Sequence, residues 1–296
     1  MDVRPVRIGG VGAYVPPQVM TNADLEKMVD TSDEWIVERT GIRERHIAGK
    51  GMATSDMAIE AAKSCLLHAG VLGSELDLIV VASASPDHLF PATSCIVQAS
   101  LGAIHAAAFD MEIGCSGFIY AMVTGAQFVS SGTYEKVLVI GSETLSRFTD
   151  WNDRNTCCLF GDGAGAVLLV PGEEGEGILG FALGADGSSA SLLTLPAGGS
   201  RMPACQESLD QGMHYIHMDG KAVFKFAVKV MAKAVTEVLE KCGKRIDDIG
   251  LLVPHQANIR IIESACDRFG IPMEKVMINI GQYGNTSSAS IPIALF

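Results

Sequence analysis

One order of segments occurs twice in this chain, and it restricts the available folds more than any other feature. A helix from Thr54 to Gly70 and a buried strand over Leu76–Ala84 come first, then a helix over Pro91–Leu101. Ala106–Met111 reads as a short buried strand, and Phe118–Val129 has apolar residues at helical spacing. Between these two lies a turn of mostly small residues that contains Gly114, Cys115, Ser116 and Gly117. After the linker-like Gly172–Gly177 the order returns: a helix over Lys221–Cys242, a strand over Ile249–Val253, a helix over Ile259–Phe269 and a strand over Val276–Ile280. A glycine turn then opens another apolar helix in GQYGNTSSASIPIAL. Ile79 and Cys115 are 36 positions apart, and Leu252 and Asn285 are 33 apart. The pattern predicts an α/β chain of two related halves, 1–171 and 172–296, each with chemistry at the start of an equivalent helix. The halves differ in one respect. From Cys115 to Pro171 is 56 positions, but from Asn285 to Phe296 is 11, so the second half is expected to lack its last two strands.

Composition removes several alternatives. A chain with 48% hydrophobic and 19% charged residues is not disordered. No apolar run approaches the roughly 18 residues of a membrane span. The N-terminus has no basic region followed by an apolar one, so no signal peptide is expected. A net charge of -12 argues against general nucleic-acid binding. The eight cysteines form no CxxC pair and no metal-ligand spacing, which suits reduced thiols in a cytoplasmic protein. Ile8-Gly9-Gly10-Val11-Gly12 resembles the start of a dinucleotide fingerprint, but Pro16-Pro17 stands where its helix would begin.

Within this frame a few polar residues stand out. Cys115 is placed at a helix N-terminus, where unpaired amides and the macrodipole favour a thiolate and lower the pKa below about 8.5. His255 directly follows the strand ending at Val253, the end at which open α/β sheets bind ligands. Asn285 sits on the Gly-Asn-Thr-Ser turn. Each has an ordinary use as well, in packing for the cysteine and histidine and as a helix cap for the asparagine. Three such residues at equivalent strand ends of two halves are harder to ascribe to coincidence. Trp35, Arg39, Arg43 and Arg45 lie close in sequence, as a solvated basic turn or as a cradle for a planar base and its phosphates. Lys221, Lys225, Lys229 and Lys233 recur every four residues on one helix, either a solvated face or a docking stripe, with Phe224, Val228 and Met231 facing the core.

Several long blocks resemble one family. TNADLEKMVDTSDEWIVERTGIRERHIA, GCSGF, DR followed by FGDGAGA, VPHQANIRII and YGNTSSASIP are similar to the β-ketoacyl-[acyl-carrier-protein] synthases III, and the resemblance runs from the first strand to residue 296. It implies a thiolase-like fold of two duplicated halves layered α-β-α-β-α, a homodimer, and two strands with a glycine-rich loop after the Asn285 helix. Cys115 matches the acylated nucleophile of that family, and His255 and Asn285 match the pair that handles the malonyl thioester. Trp35 and Arg154 match the residues that sandwich the adenine of coenzyme A. Thr31, Arg39 and Thr40 match nearby contacts to the coenzyme, and Asn258 one to its pantetheine arm. Phe90 matches a residue reaching the partner subunit's acyl pocket, and Phe160 is assigned to the acyl pocket too. Lys225 and Arg260 match carrier-docking positions. The implied reaction joins an acyl-CoA starter to malonyl-acyl-carrier-protein by decarboxylative Claisen condensation, with acyl-CoA as substrate and no cofactor. A polyketide-type condensing enzyme shares Cys, His and Asn. A papain-like hydrolase shares their order but not the duplicated pattern. A chain without its last strands could also serve as a non-catalytic acyl or carrier-protein binder.

Overall fold

The computed structural model describes residues 4–296. Strand β1 (Val6–Tyr14) opens the chain, and a small ribbon of β2 (Val19–Thr21) and β3 (Glu44–His46) brackets the helices α1 (Asn22–Leu25) and α2 (Asp33–Thr40). Helix α3 (Thr54–Ala69), β4 (Leu78–Ala82), α4 (Thr93–Ser100), β5 (Ala107–Met111), α5 (Gly117–Ser130), β6 (Val137–Glu143) and β7 (Gly163–Pro171) complete the first half. Its sheet has the order β1-β7-β6-β4-β5. Strands β5, β4 and β6 run parallel, while β7 is antiparallel to both β6 and β1.

The alternation along β4 explains the layers. Ile79 and Val81 pack under α3 with Met57, Ala61 and Cys65, whereas Leu78, Val80 and Ala82 meet Phe118 and Ala121 of α5. Side chains of a strand point to opposite faces in turn, so a strand covered on both faces is apolar throughout, and every residue of β4 is buried. Strand β5 departs from the expectation of a buried strand. It is the sheet's edge, with Ala107 exposed and its other residues half-buried.

The second half contains β8 (Leu193–Thr194), α6 (Gln206–Asp210), β9 (His217–Met218), α7 (Gly220–Lys241), α8 (Ile259–Phe269), α9 (Ile280–Tyr283) and α10 (Ser290–Leu295). The expected strands at 249–253 and 276–280 reduce to a single parallel bridge, Leu252 to Val276. The physical reason is the lack of neighbours. In the first half β4 lies between β5 and β6, whereas the described residues put no third segment beside this bridge. Helix α7 is correspondingly open: Phe224, Val228 and Met231 are only half-buried, and Ala232 is its one fully buried residue.

What the second half does secure is the 285–295 segment, which lies against the first sheet. A Cβ at Gly141 of β6 would stand 2.2 Å from the Ser288 carbonyl oxygen, so only glycine permits that approach. Ile291 and Leu295 of α10 join the apolar cluster on the α5 face. The turn carrying Asn285 is thereby pressed against the strand ends beside Cys115.

Candidate active site

Cys115 lies in a tight turn, Gly114–Ser116, that leads into α5, and Gly114 takes φ +69° there. The turn follows β5 and packs against the Ser287–Ala289 turn from the other half. The expected low thiol pKa is not found. Burial pushes the Cys115 thiol up to about 11, the nearby Glu143 carboxylate adds to the shift, and a hydrogen bond with Ser287 opposes it. Removing the charged form from water outweighs what one helix start contributes.

Glu143 carries no signal in the sequence that marks it as a site residue. It is fully buried at the end of β6. Its carboxylate accepts from the Ala84 amide at 3.1 Å, the Ser85 hydroxyl at 2.5 Å and the Ser288 hydroxyl at 2.8 Å. Burial raises its pKa while these donors, with Ser287, hold it down.

His255 is fixed from behind. Its Nδ1 lies 2.6 Å from the Ser290 hydroxyl, and that oxygen also accepts the Gln256 amide at 3.1 Å. Gln256 is itself buried, accepting from the amides of Asn279 and Ile280 and donating to the Met277 carbonyl. The Ser290 hydroxyl proton has no other acceptor among the described residues, so we assign it to Nδ1, which leaves the proton of a neutral imidazole on Nε2. That Nε2 is buried and has no partner. Desolvation lowers the His255 pKa to about 4, which keeps the ring neutral at pH 7.

Asn285 is clamped by its backbone. Its amide donates to the Leu159 carbonyl at 2.8 Å, and its carbonyl accepts from Gly161 at 3.0 Å, on either side of the buried Phe160. Its Oδ1 accepts the Ser287 amide at 2.9 Å, so the side-chain NH₂ is the end left free for a ligand. Ser287 has φ +47°, an unfavourable backbone for a residue with a Cβ, at the position between Asn285 and the Cys115 turn. The 285–290 segment thus packs against the Cys115 turn, carries Asn285 and holds His255 through Ser290, leaving two neutral donors, His255 Nε2–H and Asn285 NH₂.

The other predicted residues divide into groups. Trp35, Arg39 and Arg154 come together, the Arg154 guanidinium 4.5 Å and the Arg39 guanidinium 5.6 Å from the indole centre. Arg154 also lies 3.7 Å from Asp30. The Thr31 hydroxyl oxygen is buried without a partner. Thr40, in contrast, is buried with its hydroxyl committed to the Ile36 carbonyl and the Ile42 amide. Asn258 caps α8 through the Arg260 amide and donates to the Arg39 carbonyl at 2.9 Å. Arg45 leaves the basic turn altogether. It is fully buried and donates to Met20, Asn22 and Cys158, bracing the segment that clamps Asn285. Phe90 is 85% exposed beside the β5 edge, whereas Phe160 is inside. Lys225 and Arg260 are exposed on α7 and α8, which pack together. Among the described residues no group of three His, Cys, Asp or Glu side chains is arranged to hold a metal ion, and no helix is long and apolar enough to cross a membrane.

Comparison with known proteins agrees at several levels. The family model for 3-oxoacyl-[acyl-carrier-protein (ACP)] synthase III matches residues 109–187, and the model for its C-terminal part matches 239–296. A protein of Caldanaerobacter subterraneus subsp. tengcongensis named β-ketoacyl-[acyl-carrier-protein] synthase III is 58% identical over 286 residues, covering 97% of this chain and 86% of its own. One of the same name from Symbiobacterium thermophilum is 55% identical, covering 100% of this chain and 89% of its own. The crystal structure of 3-oxoacyl-[acyl-carrier-protein] synthase III from Aquifex aeolicus superimposes with a TM-score of 0.90 at 48% identity, over 98% of this chain and 89% of that one.

Proposed function

The chain belongs to the β-ketoacyl-[acyl-carrier-protein] synthase III family, with its thiolase-like fold, and from that premise we infer how its own residues perform the condensation of an acyl-CoA with malonyl-acyl-carrier-protein that initiates fatty-acid synthesis. The observation that carries the assignment of roles is the pair of unpartnered neutral donors, His255 Nε2 and the Asn285 NH₂, held by the segment that packs against the turn of the half-buried Cys115. Cys115 takes the acyl group, forming a thioester as coenzyme A leaves. Malonyl carrier protein then loses carbon dioxide, and negative charge develops on its thioester oxygen. Two fixed N–H donors stabilise that enolate in a site shielded from water, where they are worth more than in solution. A carboxylate in either place would repel it, and a charged imidazolium is disfavoured by the burial of His255. The enolate carbon attacks acyl-Cys115, and the 3-oxoacyl carrier protein departs.

The coenzyme is proposed to lie against Trp35, Arg39 and Arg154, with the Thr31 hydroxyl as a free polar partner and Thr40 and Asn258 shaping the site mainly from within the protein. Phe160 would line the acyl pocket beside Asn285. A homodimer is supported by the edge position of β5 and by the exposure of the adjoining Leu89 and Phe90. The Phe90 loop is tied to that edge, since the Thr93 and Ser94 amides donate to Asp110 of β5. Carrier docking is assigned to Lys225 and Arg260, the whole to two halves meeting after Pro171, and the location to the cytoplasm. Trapping acyl-Cys115 with acetyl-CoA and identifying the modified peptide tests the nucleophile. A peptide carrying the acyl group anywhere else refutes it.

A further inference from the structure

His255 and Asn285 stand on different connections, one after the segment that ends at Val253 and the other after α9, so something has to fix the distance between them. In a parallel sheet the ladder of backbone bonds does this. Here the ladder begins normally. The Leu252 amide donates to the Lys275 carbonyl at 2.8 Å, and the Met277 amide donates to the Leu252 carbonyl at 2.8 Å. Parallel pairing would continue from the amide of residue 254 to the Met277 carbonyl, and from the Asn279 amide to the carbonyl of residue 254. Residue 254 is a proline and has no amide proton, so the first of these bonds cannot form.

The Gln256 side chain fills the gap. Its Nε2 donates to the Met277 carbonyl at 2.9 Å, the partner that Pro254 cannot serve, and to the Pro254 carbonyl at 3.1 Å. Its Oε1 accepts from the Asn279 amide at 3.1 Å and from the Ile280 amide at 3.2 Å. Two carbonyls on one side and two amides on the other fix which way the carboxamide faces, and its two N–H groups and both acceptor positions are used. The residue is 1% exposed. Its backbone amide donates to Ser290 Oγ at 3.1 Å, the oxygen that also meets His255 Nδ1. Ile280 opens α9, and Gly284 at the end of that helix directly precedes Asn285. One buried side chain therefore joins the His255 segment to the helix that leads to Asn285.

We propose that Gln256 is a positioning residue for decarboxylation: its carboxamide replaces the ladder bonds lost at Pro254 and sets the separation of the His255 and Asn285 donors, so that both reach one thioester oxygen. Burial gives the link its strength. An apolar side chain at this place would strand two carbonyls and two amides away from water, and the two segments would shift to find other partners. A donor helps only at about 3 Å from the developing charge, so a shift of one segment against the other removes the benefit of holding two. All of these bonds stay within the second half, and acylation of Cys115 does not draw on them.

The inference rests on His255 and Asn285 being the enolate donors, and a double-mutant cycle separates the two claims. Carbon dioxide release from malonyl carrier protein is measured for the wild-type chain, Gln256→Leu, His255→Ala, Asn285→Ala, and Gln256→Leu combined with each of the other two. Acylation of Cys115 by acetyl-CoA is followed alongside by intact-protein mass. Gln256→Leu should lower kcat for decarboxylation about tenfold, the scale of one lost hydrogen bond, with KM for malonyl carrier protein and the acylation rate little changed. A chain that already lacks one donor has no pair to align, so adding Gln256→Leu to His255→Ala or Asn285→Ala should cost less than about twofold. Penalties that multiply in full, a loss confined to KM, equal losses in decarboxylation and acylation, or an unchanged Gln256→Leu enzyme would each overturn the positioning role alone. If His255→Ala and Asn285→Ala keep the wild-type rate, the donor roles and the positioning role fall together. Should Gln256→Leu not fold, Gln256→Glu carries the same cycle, because its oxygens still accept the two amides while both carbonyls lose their donor.

Discussion

The Nδ1 of His255 stands 2.6 Å from the hydroxyl of Ser290, 35 positions along the chain, and this contact sets which face of the imidazole carries the proton. Ser290 is the first residue of α10, so the helix that follows Asn285 also holds the histidine. Ser290→Ala should lower malonyl decarboxylation about tenfold, the scale of one lost hydrogen bond. Acylation of Cys115 should change much less. Release of carbon dioxide from malonyl carrier protein measures the first, and intact-protein mass the second. Equal losses in both would show that Ser290 supports the fold and not the tautomer.

His255→Ala and Asn285→Ala separate the half-reactions further. Each removes one of the two donors facing the enolate, and each should cost about 10²–10³ in decarboxylation rate. Both variants should still form acyl-Cys115. If acylation is lost and decarboxylation kept, the roles are reversed.

The sign of the pH dependence follows from His255. Its folded pKa is depressed from 6.5 to about 4, so below pH 6.5 the unfolded chain binds a proton that the folded chain refuses. Stability from this group is complete above pH 6.5 and declines as pH falls towards 4, by up to about 3 kcal/mol. Urea denaturation at pH 7 and pH 4.5 should show that loss in the wild-type chain and a smaller one in His255→Gln. Decarboxylation should not change between pH 8 and pH 6 on account of this residue. A downward step near pH 6.5 would mean that the ring is not desolvated.

Much of this arrangement could be read from residue patterns. β4, α5 and α8 follow from buried runs and helical spacing, and the Cys115, His255 and Asn285 positions follow from the repeated order. The strands at 249–253 and 276–280 did not form as read, because a strand pattern records apolar character and not whether neighbours are present to pair with it. The low thiol pKa failed for a related reason: a helix start is local and visible in sequence, whereas burial and Glu143 arrive through tertiary packing. Arg45 shows the same limit. Arg39 and Arg43 of the same stretch are exposed, but the alternation of β3 turns Arg45 inward. Ser287, Ser288 and Ser290 were legible only as small residues on a turn, and their roles depend on which atoms face them.

Carrier recognition has to overcome a net charge of -12 with a local positive surface. Lys221, Lys225, Lys229 and Lys233 are all exposed on α7, and Arg260 is exposed on the adjoining α8. Lys225→Glu and Arg260→Glu should raise KM for malonyl carrier protein and flatten its dependence on salt, while acylation by acyl-CoA changes little. Initial rates against each substrate at low and high salt provide the comparison. Equal loss with both substrates would place carrier docking elsewhere.

The central claim is that Cys115 carries the acyl group between two half-reactions, and a two-stage mass measurement tests it most directly. The chain is incubated with acetyl-CoA, freed of excess ligand, and then given malonyl carrier protein. The account predicts one added acetyl group on the peptide containing Cys115, absent in Cys115→Ser, and its disappearance as 3-oxoacyl carrier protein forms. An unmodified Cys115, or an acetyl group there that malonyl carrier protein does not remove, would contradict it.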